Sequence, residues 1–314
     1  MIDRPLAGMS PANAPRFCAL TGVHEPSAIQ QLPDGRFLVA EDEREQPFWL
    51  VTLRPDGSVF SVPLEIDADE ASGELAKLDD LEGLTLDAAG WIYAITSHSR
   101  SGKGKERKPR ERLLRFRVEG NRMVSPAVFT GLKAALVASH PVLAEAAALR
   151  DVKDEGGLNI EALEASPDGS RLLIGLRSPL LDGQAALVVL ENPRALFEAG
   201  EAPVLAPQLL LLDLEGDGLR ALSWIQALDG YLLIGGPVAR QPAQFRLWFW
   251  SGRVSDAPRR ASVAGVAGFE RAEGISPAHI DGRPMLVIVS DDGDRESGRP
   301  AQYLLLEPTQ IQLS

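Results

Sequence analysis

The sequence predicts an all-β fold, a five-bladed β-propeller, because two short patterns each recur five times along the chain. Tight turns that contain Asp and Gly separate apolar runs, and their glycines stand at positions 35, 90, 169, 230 and 282. These residues supply the positive φ that a tight hairpin needs. A polar residue, a small residue and then Leu or Ile begin 8 to 10 positions before each turn glycine: Ser27–Ile29, Glu82–Leu84, Glu161–Leu163, Arg220–Leu222 and Glu273–Ile275.

Each copy of the pattern is followed by further strand-like segments. Most repeats hold four such segments, and four antiparallel strands in roughly 40–50 residues form one propeller blade. The last repeat lacks a clear fourth strand, so we expect the N-terminal segment 16–21 to close that blade and cover two exposed edges. The sequence therefore predicts a single propeller domain over residues 1–314. Six blades is the alternative, because 79 residues separate Gly90 from Gly169.

That long interval contains an Ala-rich segment near 132–150, whose apolar residues favour helix over strand. We expect a helical insertion here, in which Pro141 either ends the helix or begins a second one. A shorter helix is expected at 194–201.

Composition and charge narrow the class of protein. The chain is 45% hydrophobic and 24% charged, which is typical of a soluble globular protein. Its net charge of -12 disfavours binding to nucleic acid. It has no apolar run of the roughly 20 residues needed to span a membrane, and no signal-peptide stretch precedes Phe17, so a cytoplasmic location without a membrane partner is expected. The single cysteine, Cys18, is expected to be a buried apolar residue.

The repeated polar residues indicate where a site would lie. The first strand of a blade is innermost, so these residues should face the central channel, on the face opposite the Asp-Gly turns. Three of them are glutamates, and Asp291 follows a second strand on the same face. Clustered carboxylates resist ionisation unless a cation or hydrogen bonds offset their repulsion. The pattern predicts that Glu82, Glu161, Glu273 and Asp291 bind a divalent cation, Ca²⁺, Mg²⁺ or Mn²⁺.

The same pattern has a purely structural interpretation. Arg220 could neutralise the glutamates in a buried network that only closes the ring. The sequence contains no phosphate-binding or dinucleotide-binding glycine motif, and no organic cofactor is expected.

Three further residues are candidates for catalysis. His98 ends a second strand on the proposed site face, and an imidazole titrates near neutral pH, which suits proton transfer to or from a substrate near Glu82. Arg177 and Arg220 could bind an anionic group of that substrate. Directly after His98, the segment 100–112 has seven basic residues against two acidic ones. It is either a solvated loop or a lid that attracts an anionic ligand.

Several segments together resemble a bacterial family, the domain of unknown function 3616. They are Asp80–Leu84, Ser97–Arg100, Arg112–Phe116, Gly157–Leu163, Ser166–Gly169 and Gly175–Leu180. The resemblance is densest from about 80 to 190 and implies a propeller without an established activity. Glu82, His98, Glu161 and Arg177 fall inside its motifs. A looser similarity runs to esterase-like phytases and sugar-lactone hydrolases, propellers that use carboxylates around a bound cation.

These observations leave three hypotheses for function. The first is a hydrolase of a small anionic ester, phosphoester or lactone that uses a carboxylate-bound divalent cation. The second is a non-enzymatic propeller that binds a ligand or a protein partner. The third is a metal-independent lyase or hydrolase that uses Glu82 and His98 directly.

Overall fold

The computed structural model describes residues 15–42, 46–54, 56–67, 73, 75, 78–150, 156–239 and 244–314. The strands in these residues form five antiparallel sheets around one axis, so the five-bladed propeller is confirmed over the six-bladed alternative. In the described part of the chain, no helix combines the length and the apolar character needed to cross a membrane.

Each sheet is one blade, in which consecutive strands run from the axis to the outer edge. The first strand of the chain, β1 (Phe17–Leu20), lies outside this order and is described below. Blade 1 consists of β2 (Pro26–Gln31), β3 (Phe37–Glu41), β4 (Phe48–Leu53) and β5 (Val59–Pro63). Blade 2 consists of β6 (Leu81–Leu86), β7 (Ile92–Thr96), β8 (Leu113–Glu119) and β9 (Arg122–Phe129). Blade 3 consists of β10 (Asn159–Ala165), β11 (Leu172–Ser178), β12 (Ala185–Leu190) and β13 (Leu210–Leu212).

Each of the last two blades contains a strand from one end of the chain. Blade 4 consists of β14 (Gly218–Ile225), β15 (Gly230–Gly236), β16 (Arg246–Trp250) and β17 (Arg259–Val263). Blade 5 consists of β18 (Ala272–Ile280), β19 (Arg283–Ser290) and β20 (Ala301–Leu306). As predicted, β1 pairs antiparallel with β20 and completes blade 5. The C-terminal strand β21 (Ile311–Leu313) pairs with β17 as a fifth strand of blade 4, which the sequence analysis did not anticipate.

The helical insertion lies between blades 2 and 3 as two short helices, α1 (Leu132–Ser139) and α2 (Pro141–Ala148). Pro141 occupies the first turn of α2, where its missing N–H costs nothing, so the proline begins a second helix. Leu132, Leu136 and Leu143 bury the insertion against the core between these blades. A third helix, α3 (Pro193–Glu198), separates β12 from β13, and 3₁₀ turns occur at Lys108–Arg110, Gln226–Leu228 and Pro308–Gln310.

The core lies in the wedges between neighbouring blades. Phe48 of blade 1 and Phe116 of blade 2 are both fully buried, and their ring centroids are 5.4 Å apart. Close to the axis the wedge narrows, and small residues are needed. A Cβ atom at Gly83 of β6 would lie 2.7 Å from the Cβ atom of Leu163 in the next blade.

Candidate functional site at the propeller axis

The innermost strand of every blade contains a β-bulge, and the bulged residue is the repeated polar residue of the sequence pattern. In blade 2, for example, Leu81 pairs with Thr96 and Gly83 with Ile95, so Glu82 has no partner across the ladder. The same irregularity occurs in the other four blades, at Ser27, Glu161, Arg220 and Glu273. A bulge changes the direction in which a side chain points, and bulges are common beside functional sites. The five-fold repeat therefore marks five bulges that direct polar side chains to one end of the central channel.

Glu161 is the centre of these contacts. Its Oε1 atom lies 3.0 Å from Arg177 Nη1, and its Oε2 atom lies 2.9 Å from Arg220 Nη1. Asn159 Nδ2 donates to Oε1 over 2.8 Å. Both arginines also donate to the backbone oxygen of Pro237, over 3.1 Å and 3.3 Å. These contacts fix the position of the Glu161 carboxyl group, and the residue is only 4% exposed.

Glu273 shares Arg220 with Glu161. Arg220 Nη1 lies 3.1 Å from Glu273 Oε1, and its guanidinium carbon lies 5.0 Å from the centre of the Phe245 ring. Burial raises the pKa of Glu273 to about 8, and the negative charges of Glu161 and Asp291 add to this shift. The positive charge of Arg220 opposes it. The Glu273 carboxyl thus retains a proton near neutral pH beside a fixed cation.

Glu82 differs from the other two glutamates because it makes no hydrogen bond or ion pair with any residue in the described ranges. Its side chain is half-buried in the mouth of the channel. Burial, followed by the negative charges of Glu161 and Asp80, raises the pKa of Glu82 well above its usual value. We call Glu82, Asn159, Glu161, Arg177, Arg220 and Glu273 the axial cluster.

The channel is nearly closed where it passes the axial cluster. Gly83, Ala162, Ala221 and Gly274 follow the bulged residues and line a space of about 10 Å³. This is roughly the space that a single water molecule needs. A larger ligand of the axial cluster must therefore bind on the side away from the Asp-Gly turns.

Carboxylates of blades 1 and 2 form part of the rim above the cluster. Burial raises the pKa of Asp42 to about 7, with the charge of Asp80 adding to the effect. Asp80 has a positive φ of 67° and accepts hydrogen bonds from the hydroxyls of Ser97 and Ser99. Asp291, from blade 5, has a pKa that burial raises to about 6.

The basic segment 100–112 is bound to this rim. Arg107 Nη2 lies 2.8 Å from Asp79 Oδ2, and Arg110 Nη1 lies 2.7 Å from Asp80 Oδ2. Ion pairs therefore fix part of the segment, and its role as a lid that attracts an anionic ligand stays a prediction. The segment supplies the positive charge that lets Asp79 and Asp80 lie side by side.

His98 does not lie with the axial cluster. It is fully buried, with a positive φ of 56°, and its Nδ1 atom lies 2.8 Å from the backbone oxygen of Thr96. The charged groups that act on it are Lys133, Glu111 and Arg112, from the basic segment and helix α1. Burial lowers the pKa of His98 to about 4, so the ring is neutral. The structure thus places His98 beside the helical insertion instead of beside Glu82.

The predicted metal ligands are only partly free to bind a cation. In the described residue ranges, no three His, Cys, Asp or Glu side chains are arranged so that they could hold a metal ion. Glu161 is bound to two guanidiniums, and Arg220 places a positive charge between Glu161 and Glu273. The Arg220 guanidinium beside Glu161 and Glu273 would repel a bound cation, so this donor set does not fit one.

Sequence reasoning missed Asn159. It stands two residues before Glu161, inside the segment that carries the family resemblance, but an isolated Asn at the start of a strand carries no periodic signal. The sequence could identify bulged residues by their repetition, whereas it could not identify a partner that only one blade contains.

Comparison with known proteins gives a family for the chain. A family model described as "Protein of unknown function (DUF3616)" matches residues 134–304, which is more than half of the sequence. The chain belongs to this family. No curated protein matches the sequence of this DUF3616 member.

Solved structures give only distant similarities. A PQQ-bound aldose sugar dehydrogenase from Streptomyces coelicolor is 16% identical, with a TM-score of 0.47, over 96% of this chain and 100% of the other. A candidate oxidoreductase (glucose dehydrogenase) from Thermus thermophilus is 17% identical, with a TM-score of 0.47, over 93% and 100% of the two chains. The allergen Mala s 1 of Malassezia sympodialis is 10% identical, with a TM-score of 0.42, over 91% and 80%.

Proposed function

We propose that this DUF3616 protein is a hydrolase of a small anionic ester, phosphoester or lactone, and that the axial cluster is its active site. The observation that carries the proposal is the position of Glu273, a largely buried carboxyl with a pKa of about 8, at 3.1 Å from Arg220 Nη1. A carboxylic acid that keeps its proton near neutral pH can act as a general acid. A fixed guanidinium beside it can stabilise negative charge that develops on the substrate oxygen.

The reaction is a simple addition of water. Protonated Glu273 donates its proton to the oxygen that leaves, while a water molecule attacks the carbonyl carbon or the phosphorus. The proton lost by that water restores the Glu273 carboxyl, so the net change is the addition of water across the broken bond. Arg177, whose side chain is 12% exposed, binds the anionic group of the substrate. Glu161 positions both arginines.

This assignment gives Glu273 the proton-transfer role that the sequence suggested for His98, because His98 lies beside the helical insertion. No step depends on a metal ion, since Glu161 is already bound to Arg177 and Arg220.

The ion pairs of Glu161 also favour a second candidate, a non-enzymatic propeller that binds a small ligand or a protein partner. In that case the axial cluster only closes the ring, because its buried charges already neutralise one another.

The experiment that separates the two candidates is a hydrolysis screen with carboxylic esters, phosphoesters and lactones, with and without a chelator. For any substrate that is turned over, Glu273→Gln should lower kcat about 100-fold or more. Glu164→Gln is the matched control, because Glu164 is another buried glutamate of an inner strand and its pKa is also about 8. The proposal fails if nothing is turned over or if Glu273→Gln is as active as the control.

A further inference from the structure

We infer that a second site, on the face of the Asp-Gly turns, binds a free α-amino acid with an apolar side chain. The site is a cavity between blades 3 and 4, and the groups that bind the amino acid are Asp168, Arg171 and Tyr231. None of these residues belongs to the axial cluster, so the inference is independent of the proposed function.

The cavity lies where the wedge between the two blades opens, and its volume is about 310 Å³. Its wall on blade 3 includes Leu173, Val189 and Leu210. Its wall on blade 4 includes Tyr231 and Trp250, which pair directly across β15 and β16 and whose ring centroids are 5.4 Å apart. Pockets for small ligands begin at roughly 300 Å³, so this one suits a molecule of amino-acid size.

Tyr231 supplies a hydroxyl group without a partner. The residue is only 5% exposed, and no group in the described part of the chain forms a hydrogen bond with its hydroxyl. The hydroxyl oxygen nevertheless retains accessible surface. Burial raises the pKa of Tyr231 to about 12, so the hydroxyl keeps its proton at neutral pH and can donate it in a hydrogen bond. The charges of Arg171 and Asp168 also act on this pKa, which places both side chains near the hydroxyl.

A comparison of two turns shows how the charges beside this cavity come to be unpaired. The turns of blades 1 and 3 both contain Pro-Asp-Gly, followed by Arg36 directly after the glycine in blade 1 and by Arg171 one residue later in blade 3. In blade 1, Arg36 Nη2 lies 2.6 Å from Asp34 Oδ2, so the two charges neutralise each other. In blade 3 the additional residue is Ser170, whose backbone N–H and hydroxyl donate to Asp168 Oδ1 over 3.1 Å and 2.8 Å.

Asp168 and Arg171 are therefore opposite charges that remain free for a ligand. Among the described residues, Asp168 Oδ2 accepts no hydrogen bond, and the Arg171 guanidinium forms neither a hydrogen bond nor an ion pair. Hydrogen bonds from Ser166 and Ser170 lower the pKa of Asp168 to about 2, so its carboxyl group is ionised at neutral pH. Both charged residues are exposed and line the cavity. Arg171 precedes Leu173 by two residues, which places the two side chains on the same face of the blade.

A free α-amino acid matches this set of groups. Its carboxylate accepts hydrogen bonds from the Arg171 guanidinium and the Tyr231 hydroxyl, and its ammonium group donates to Asp168 Oδ2. An apolar side chain then lies against Leu173 and Val189, which are 6% and 7% exposed. An anion without the ammonium group would be repelled by Asp168, and a cation without the carboxylate would be repelled by Arg171.

The test is isothermal titration of the protein with L-leucine at pH 7.0, beside two probes that each lack one charge. N-acetyl-L-leucine lacks the ammonium group, and L-leucinamide lacks the carboxylate. We expect saturable binding of L-leucine. Each of the other two probes should bind at least about 10-fold more weakly, because each loses a charge-assisted hydrogen bond.

Variants locate the site. Arg171→Gln and Asp168→Asn should each weaken L-leucine binding at least about 10-fold, and both residues are exposed, so we expect the variants to fold. Arg36→Gln is the matched control, because it removes the arginine from the corresponding turn of blade 1. This control and Glu273→Gln, which alters the axial cluster, should bind L-leucine as wild type does.

Four outcomes would overturn the inference. They are no saturable binding of L-leucine, equal binding of either probe with a single charge, unchanged binding in Arg171→Gln or Asp168→Asn, and an equal loss in Arg36→Gln. A loss in Glu273→Gln would place the amino acid at the axis and would also overturn it. The hydrolysis screen fails or succeeds separately, because no reaction takes place at this cavity.

Discussion

Glu164 lies on the same inner strand as Glu161 but is not part of the axial cluster. It is 7% exposed, and it accepts hydrogen bonds from Thr85 Oγ1 over 3.0 Å and from the backbone N–H of Trp224 over 2.8 Å. These contacts join the inner strands of blades 2, 3 and 4. Burial raises the pKa of Glu164 to about 8.

The raised pKa of Glu164 makes the stability of the protein depend on pH. A carboxyl whose pKa is raised on folding stabilises the protein fully below its unfolded pKa, and this contribution is lost as pH rises towards 8. Glu164→Gln should therefore be more stable than wild type at pH 8, by about 1 kcal/mol or more, with a smaller difference at pH 5. Denaturant unfolding at both pH values measures this difference in the free energy of unfolding. A variant that is less stable at both would show that the carboxyl group itself is needed.

The sequence predicted single residues well where a repeat marked them. Glu82, Glu161, Arg220 and Glu273 could be found because one backbone feature, the bulge, occurs in every blade. The arrangement of their charges could not be found, because it depends on distances between blades. For the same reason the sequence placed His98 near Glu82, although the strand end directs it to the helical insertion.

Among the elements, the inner strands depend on small residues directly after each bulge. At Gly83 the neighbouring inner strand approaches so closely that a methyl group would lie 2.7 Å from Leu163 Cβ and 3.0 Å from Ile95 Cγ2. Gly83→Ala should destabilise the fold by about 1–3 kcal/mol through overpacking, as measured by denaturant unfolding.

Gly102 offers a matched control for this substitution. A Cβ atom added there would meet no atom within 4 Å, and its φ is not in the left-handed region. Gly102→Ala should leave stability within about 0.5 kcal/mol of wild type. Equal effects at the two glycines would contradict the close packing of the inner strands.

The elements were predicted with uneven success for physical reasons. Asp-Gly turns and apolar runs are local signals, so blades and hairpins followed from them. The break at Pro141 could be placed but not interpreted, because a proline is equally suited to end one helix or begin the next. The binding of segment 100–112 to Asp79 and Asp80 depends on ion pairs distant in sequence, which charge counting alone does not reveal.

In the molecule as a whole, the ring is closed by contacts between blades 5 and 1. Besides the pairing of β1 with β20, the fully buried Glu41 carboxylate accepts a hydrogen bond from the backbone N–H of His24 and lies 2.7 Å from Arg295 Nη2 of blade 5. Closure therefore has its own ion pair at the rim, between a buried carboxylate and an exposed arginine. The axial glutamates need not serve that purpose, which supports a functional interpretation of Glu82.

The free energy of unfolding of Glu82→Gln at pH 8, compared with wild type, tests most directly whether the axial cluster is only a means of closing the ring, because the protein would lose stability when a Glu82 that closes the ring is replaced. Glu82 has no partner in the described residues, and its pKa is raised on folding, so its ionisation in the unfolded chain favours unfolding at this pH. The variant should be more stable than wild type by roughly 1 kcal/mol or more, because Gln carries no charge in either state. A variant that is less stable by a similar amount would show that this carboxyl group holds the ring together, and would contradict a functional axial site.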